Sequence, residues 1–107
     1  MSEVFLLDQL LAQRDQGGRS YLEFLRVPAM SAGIYILPSG GNDLQRPHDQ
    51  DEIYYVISGA AKIRLRNEEK QVEKGNLIFV EAGLDHRFFD IQQEIVLLVF
   101  FAPAESS

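Results

Sequence analysis

Short strand-like runs punctuated by glycine and proline predict an all-β sandwich or barrel with one short helix at its N-terminus. Three observations carry that expectation. Apolar, β-branched and aromatic runs recur at close spacing along the whole chain after residue 20. One of them, Ala61-Lys-Ile-Arg-Leu-Arg66, alternates strictly between apolar and basic residues, the period of a strand with one buried and one wet face. Only the segment from Phe5 to Gln16 places its leucines (Leu6, Leu7, Leu10 and Leu11) at helical spacing.

That helix is expected to end at Gly17-Gly18 and to pack as a lid on the body rather than to bind a partner. Strands are then expected at Tyr21–Val27, closed by Pro28, and at Ala32–Leu37, closed by Pro38. Ser39 to Asp43 reads as a loop. Glu52 to Ile57 reads as a strand with Ser58-Gly59-Ala60 as its turn, and Asn67 to Lys70 as a charged hairpin tip. Lys74-Gly75-Asn76 is another turn, Leu77 to Val80 a strand, and Ala82-Gly83-Leu84 turns the chain into His86–Asp90. The last run, Glu94 to Phe101, is apolar on both faces, so both should be covered, and a second subunit is one source of cover. Ala104 to Ser107 reads as a frayed tail.

A chain of 107 residues is expected to form one domain, spanning 1-107. With no cysteine there are no disulfides and no thiolate ligands, so any metal site must draw on His, Asp or Glu. A net charge of -6 argues against a nucleic-acid partner, since that binding rests on Lys and Arg neutralising phosphates. Val4 to Leu7 is too short for a signal-peptide core, and Ile95 to Ala102 is too short to span a bilayer. These features predict a soluble, cytoplasmic protein without a membrane partner.

The two histidines of the chain stand in similar surroundings, each beside a strand-like run. His48 precedes Glu52 by four residues, about 13 Å along a straight strand and too far to share an ion. The turn-prone Asp49-Gln50-Asp51 between them allows a bend that brings them together. Beyond Glu52, alternation sends Tyr54 and Val56 to one face and Ile53, Tyr55 and Ile57 to the other.

At these positions the sequence resembles the cupin superfamily of small jelly-roll β-barrels. The first cupin motif, G-x5-H-x-H-x3-E-x6-G, is present as Gly40, Arg46, His48, Glu52 and Gly59, with Arg46 in place of the first histidine. The second, G-x5-P-x-G-x2-H-x3-N, is present as Gly75, Glu81, Gly83, His86 and Asp90, with Glu81 for the proline and Asp90 for the asparagine. Every spacing is kept. The resemblance implies a small jelly-roll barrel and a divalent metal ion (Fe, Mn, Ni or Zn) bound by His48, Glu52 and His86. Such a set of two histidines and one carboxylate is the ligand type of non-haem iron oxygenases.

Arg46 is always charged and cannot ligate. Two placements are open for it: outward in solvent beside Pro47, or at the barrel mouth, holding a substrate carboxylate or phosphate. Tyr54 and Phe88 share faces with Glu52 and His86, so each is a candidate for lining a substrate pocket as well as for the core. Asp90 reads as a turn residue and Glu81 as a solvated one. The functional expectation is a metal-dependent enzyme, of oxygenase or isomerase type, acting on a small anionic or aromatic metabolite. The alternatives are a metal-free module that binds a sugar or organic anion, with Glu52 paired to Arg46, and a structural dimer with a vestigial pocket. A homodimer is expected in each case.

Overall fold

Six strands follow the helix, and the long ones do most of the enclosing. The computed structural model describes residues 2–17, 20–44 and 46–106. Gly18 of the expected helix stop and Ser107 of the expected tail lie outside them. The elements are α1 (Leu7–Gly17), β1 (Tyr21–Val27), β2 (Met30–Leu37), β3 (Asp51–Leu65), β4 (Glu68–Glu73), β5 (Leu77–Val80) and β6 (His86–Ala102). The strands pair antiparallel in the order β1-β2-β6-β3-β4, with β5 also on β3, and form a jelly-roll barrel.

Helix α1 begins two residues later than its leucine spacing predicts. Its first turn closes on the Leu6 carbonyl, which accepts from both Gln9 and Leu10 amides at 3.1 Å. Leu10 is its buried residue, packed with Ile34, Ile36 and Val96 on the outer face of β2 and β6. Phe5 and Phe24 extend the same cluster, their rings meeting edge-on at 4.9 Å. The lid expected from the stripe is therefore present, and it supplies part of the cover for β6.

Ser58-Gly59-Ala60 is not a turn. β3 runs straight through it, paired with β6 on both sides, with register shifts between Val56 and Lys62. Gly59 has φ +93, and a Cβ there would stand 2.1 Å from the Glu94 carbonyl oxygen. Glycine is needed at this crossing for its backbone conformation and because the partner strand lies against it. Alternation changes phase across this point. Glu52, Tyr54 and Val56 face inward on one side, and Ala61 and Ile63 on the other. β6 makes the matching change near Asp90, a non-glycine residue at φ 46, between inward-facing Phe88 and inward-facing Ile91. Asp90 thus serves a bulge within a strand rather than a turn.

The β3–β4 hairpin turns at Arg66-Asn67 instead of Asn67–Lys70, with Arg66 at φ 58 and Leu65 paired to Glu68. Glu68 to Glu73 is strand β4, whose side chains are exposed except for Val72. Its charges mark an edge strand rather than a loop.

Inside the barrel, Tyr54, Val56, Ile63, Phe88, Ile95 and Leu97 are almost wholly excluded from solvent. Outside, β6 is covered by α1 around Val96, while Phe100 borders an apolar groove of about 420 Å³ with Ala29, Met30, Ile53 and Phe79. Leu77 and Phe79 of β5 beside it are 67% and 63% exposed. Among the described residues, no helix is long and apolar enough to cross a membrane.

Candidate metal centre

Three local structures deliver the two histidines and the glutamate to one point. Glu52 is the first inward residue of β3, paired with Val80 on one side and Phe101 on the other. His86 opens β6 opposite Leu65. His48 sits on the loop before β3, and that loop is tied to the β5–β6 turn. The Gly83 amide donates to the His48 carbonyl at 2.7 Å, and the Ala82 amide to Asp51 Oδ1 at 2.8 Å. These bonds bend the Asp49-Gln50-Asp51 stretch and overcome the separation a straight strand would impose. One ligand-type atom from each of His48, Glu52 and His86 falls within 4.8 Å of the others.

The environment of this cluster is unusual for a carboxylate. Glu52 and His86 side chains are 1% and 0% exposed, with Oε1 3.0 Å from Nε2. Yet the two atoms are not aligned for a hydrogen bond, and both oxygens of Glu52 lack a hydrogen-bond partner among the described residues. A buried carboxylate without donors is costly. The tautomer of His86 sharpens the point. Its Nδ1 lies 3.0 Å from the Leu84 carbonyl, which only accepts, so Nδ1 carries a proton. In the neutral ring, Nε2 then has one lone pair, to which the Tyr54 hydroxyl donates at 3.1 Å, and no proton to give to Glu52 Oε1 3.0 Å away. Two lone-pair atoms facing each other in a dry site call for a cation between them or a second proton on the ring.

The second proton is one answer. Burial by itself pushes the His86 imidazole down, but the nearby Glu52 carboxylate, the Leu84 carbonyl and the more distant Asp43 outweigh it, so its pKa is raised. A divalent metal ion is the other answer, and the residues present fit one. The ligand set is two imidazoles and a carboxylate. Each imidazole also has its Nδ1 against an oxygen, from Leu84 for His86 and from Glu105 for His48 at 3.0 Å. Metal-binding histidines are commonly oriented this way, which turns Nε2 toward the ion.

The other expected site residues fall at different distances from this point. Tyr54 is buried and touches His86 through its hydroxyl. Phe88 is equally buried and packs edge-on against the Tyr54 ring, with centroids 5.1 Å apart. Arg46 is exposed on the loop two residues before His48. A cavity of about 160 Å³ adjoins the cluster, lined by Tyr21, Tyr35, His48, Val99, Phe101 and Glu105.

Two further acids matter here that motif spacing does not single out. Asp43 is buried in the loop; it accepts from the Tyr35 hydroxyl at 2.8 Å and from the Phe88 amide at 3.0 Å. It locks the His48 loop to the barrel wall. Glu105 belongs to the segment expected to fray, and no local sequence signal marks it. Burial raises its pKa, and His48 partly offsets this.

A cupin domain family model matches residues 33–101 of the chain. An uncharacterised protein of Streptomyces coelicolor is 44% identical over 104 residues, covering 97% of this chain and 99% of that one. The crystal structure of TT1209 from Thermus thermophilus superposes with a TM-score of 0.75 at 23% identity, covering 96% of this chain and 99% of that one. The Schizosaccharomyces pombe Cnp3 cupin domain superposes with a TM-score of 0.71 at 14% identity, covering 78% of this chain and 63% of that one, so this chain spans under two thirds of its length. At these identities the two structures share the fold with this chain.

Proposed function

The chain belongs to the cupin domain family, and from that premise we propose that His48, Glu52 and His86 hold a divalent metal ion serving an enzyme that acts on a small metabolite. The observation that carries this reading is Glu52: a buried carboxylate whose two oxygens have no hydrogen-bond partner among the described residues, with Oε1 3.0 Å from His86 Nε2. Iron, manganese, nickel and zinc all suit this ligand set. Such an ion supplies Lewis acidity toward a substrate oxygen or, if redox-active, a centre for dioxygen chemistry. The chain's own residues do the rest. Tyr54 holds a proton at its hydroxyl oxygen beside His86. The cavity of about 160 Å³ admits a compact ligand and walls it with aromatic rings from Tyr21, Tyr35 and Phe101. Arg46, exposed on the loop before His48 and outside that lining, offers its guanidinium to an anionic group beyond the cavity wall, while Phe88 holds Tyr54 in place rather than meeting the ligand itself.

Metal analysis of protein purified without added metal tests the reading, together with calorimetric titration by Zn²⁺, Ni²⁺, Mn²⁺ and Fe²⁺. Stoichiometric metal, or a single-site titration lost in Glu52→Gln, supports it; no uptake of any of the four ions overturns it.

A second reading rests on the contact of His86 Nε2 with Glu52 Oε1 at 3.0 Å, both side chains being closed to solvent. Protonated, His86 neutralises Glu52 without metal, and the cavity then serves as a binding site for a sugar or organic anion. A bound organic molecule in metal-free protein favours this reading.

The assembly we propose is a cytoplasmic homodimer with neither nucleic acid nor membrane as partner. Support comes from the outer sheet face, where Ile53, Tyr55, Leu77, Phe79 and Phe100 pair across β5, β3 and β6 into a continuous apolar surface beyond the reach of α1. A two-fold contact between two copies would set this apolar face, with its groove, against its own counterpart and cover it.

A further inference from the structure

Within the C-terminal segment, Ala104 to Ser106 are fastened to the body rather than frayed, and Glu105 lines the cavity beside His48. The Ala104 amide approaches the Pro28 carbonyl at 3.4 Å, and the Glu105 amide donates to Ser31 Oγ at 2.9 Å. The Arg26 guanidinium donates to the Glu105 carbonyl, and Gln50 Nε2 to Ser106 Oγ at 2.9 Å. Ser31 and Gln50 are themselves buried. Four anchors from β1, the β1–β2 turn, β2 and the His48 loop thus grip the backbone and side chains on both sides of one residue.

The fastening sets the direction of the Glu105 side chain. Its Oε2 lies 3.0 Å from His48 Nδ1, with the two side chains 21% and 17% exposed. An exposed ion pair held by two floppy side chains contributes little. Here the carboxylate is delivered by a pinned backbone, and the His48 ring is also packed edge-on against Phe101 at 4.9 Å.

We propose that Glu105 is a positioning residue for His48, fixing its Nδ1–H tautomer and ring plane so that Nε2 faces Glu52 and His86. The inference rests on the metal reading above and deepens it. The two imidazoles are held by different means. His86 is oriented by the Leu84 carbonyl, two residues away in its own turn. His48 is oriented by a carboxylate from a segment remote in sequence, held by hydrogen bonds rather than by strand pairing. The same segment walls the cavity of about 160 Å³.

The test uses the full chain and the variants Glu105→Ala, Glu105→Gln and Glu69→Ala, the last removing one carboxylate from the distant edge strand β4. Zn²⁺ affinity by competition titration should fall about 10- to 100-fold in Glu105→Ala, the usual loss when an oriented histidine loses its partner. It should recover in part in Glu105→Gln, which keeps an acceptor oxygen, and stay unchanged in Glu69→Ala. In metal-free protein, nitrogen-15 spectra of the imidazoles should show His48 as the Nδ1–H tautomer in the wild type and a mixture in Glu105→Ala, with His86 unchanged. Thermal unfolding of each metal-free variant separates these effects from loss of fold. Wild-type-like affinity together with an unchanged His48 tautomer in Glu105→Ala overturns the inference. If the wild type takes up no metal, the metal reading falls instead, and the tautomer spectra alone decide whether Glu105 orients His48.

Discussion

Glu52 Oε1 and His86 Nε2 stand 3.0 Å apart in a site closed to solvent, and no hydrogen bond joins them. The contact comes from two distant parts of the chain, the inward phase of β3 and the first residue of β6. A barrel that needed only stability would fill these positions with apolar side chains, as it does at Val56 and Ile63. Polar groups kept in this arrangement instead are what the proposed metal site calls for.

Removing any one ligand should disable metal uptake. His48→Ala, Glu52→Gln and His86→Ala are each expected to weaken Ni²⁺ or Zn²⁺ binding at least tenfold, equivalent to ~1.4 kcal/mol. Chelation should lower the melting temperature of metal-loaded wild type, since an ion bound only by the native state stabilises it, and should leave that of the variants unchanged. Differential scanning calorimetry with and without chelator reads both. Variants that keep wild-type affinity would dismiss these residues as ligands.

Stability should fall in alkali. Burial raises the pKa of the Tyr35 hydroxyl, and Asp43 beside it raises it further; Tyr21 is also raised by burial and by Glu105. A phenol whose folded pKa lies above its unfolded value, about 10, adds stability that is present below that value. The contribution is lost as pH rises from about 10 toward the folded pKa, because the unfolded chain releases its protons first. Urea unfolding at a series of pH values should show this slope, and Tyr35→Phe should reduce it. The variant should also cost about 1–3 kcal/mol by removing the hydroxyl that donates to Asp43 Oδ1 at 2.8 Å. A stability flat through this range would refute the assignment.

Gly59→Ala should be severe. The added methyl meets the Glu94 carbonyl oxygen at 2.1 Å, and φ +93 is unfavourable for any side chain. We expect a loss of about 3 kcal/mol or more, measured by urea denaturation. Gly75→Ala, at the same φ but with open space around it, should cost less and serves as the comparison. Equal losses at the two positions would show that conformation alone, not the strand crossing, explains Gly59.

Sedimentation at micromolar concentration should give a species of twice the 12.1 kDa chain mass. Phe79→Glu, on the exposed apolar face, should convert it to a folded monomer. A wild-type monomer would remove the dimer, and a dimeric variant would move the interface elsewhere.

The residues of the candidate centre were open to sequence reasoning because motif spacing survives independently of what fills the gaps. His48, Glu52 and His86 keep that spacing even though Arg46, Glu81 and Asp90 depart from the motif. The strands are legible for a similar reason, since alternation is a local property of the chain. What escapes depends on contacts between remote segments. Gly59 has the local look of a turn, and only the passage of β6 against it shows a kink in a continuous strand. Glu68 to Lys70 look like a solvated tip because an edge strand with a wet face has a similar composition. Glu105 looks like tail because its partners, Ser31 and His48, are far away in sequence.

The phase change that β3 and β6 share divides the barrel into two independently indexed halves. Losing one residue at the kink would not merely shorten β3; it would turn Ala61 and Ile63, or else Glu52 and Tyr54, from the inside of the barrel to the outside. Residues added at the Arg66-Asn67 tip lie beyond the kink and leave the inward phase of β3 unchanged, but the tip abuts the start of β6, where Leu65 pairs with His86 and the Arg66 amide donates to the Asp85 carbonyl at 2.8 Å. A change of length at Gly59 therefore inverts one half of the barrel, whereas one at the hairpin tip keeps inside and outside as they are and acts only through the start of β6 beside it.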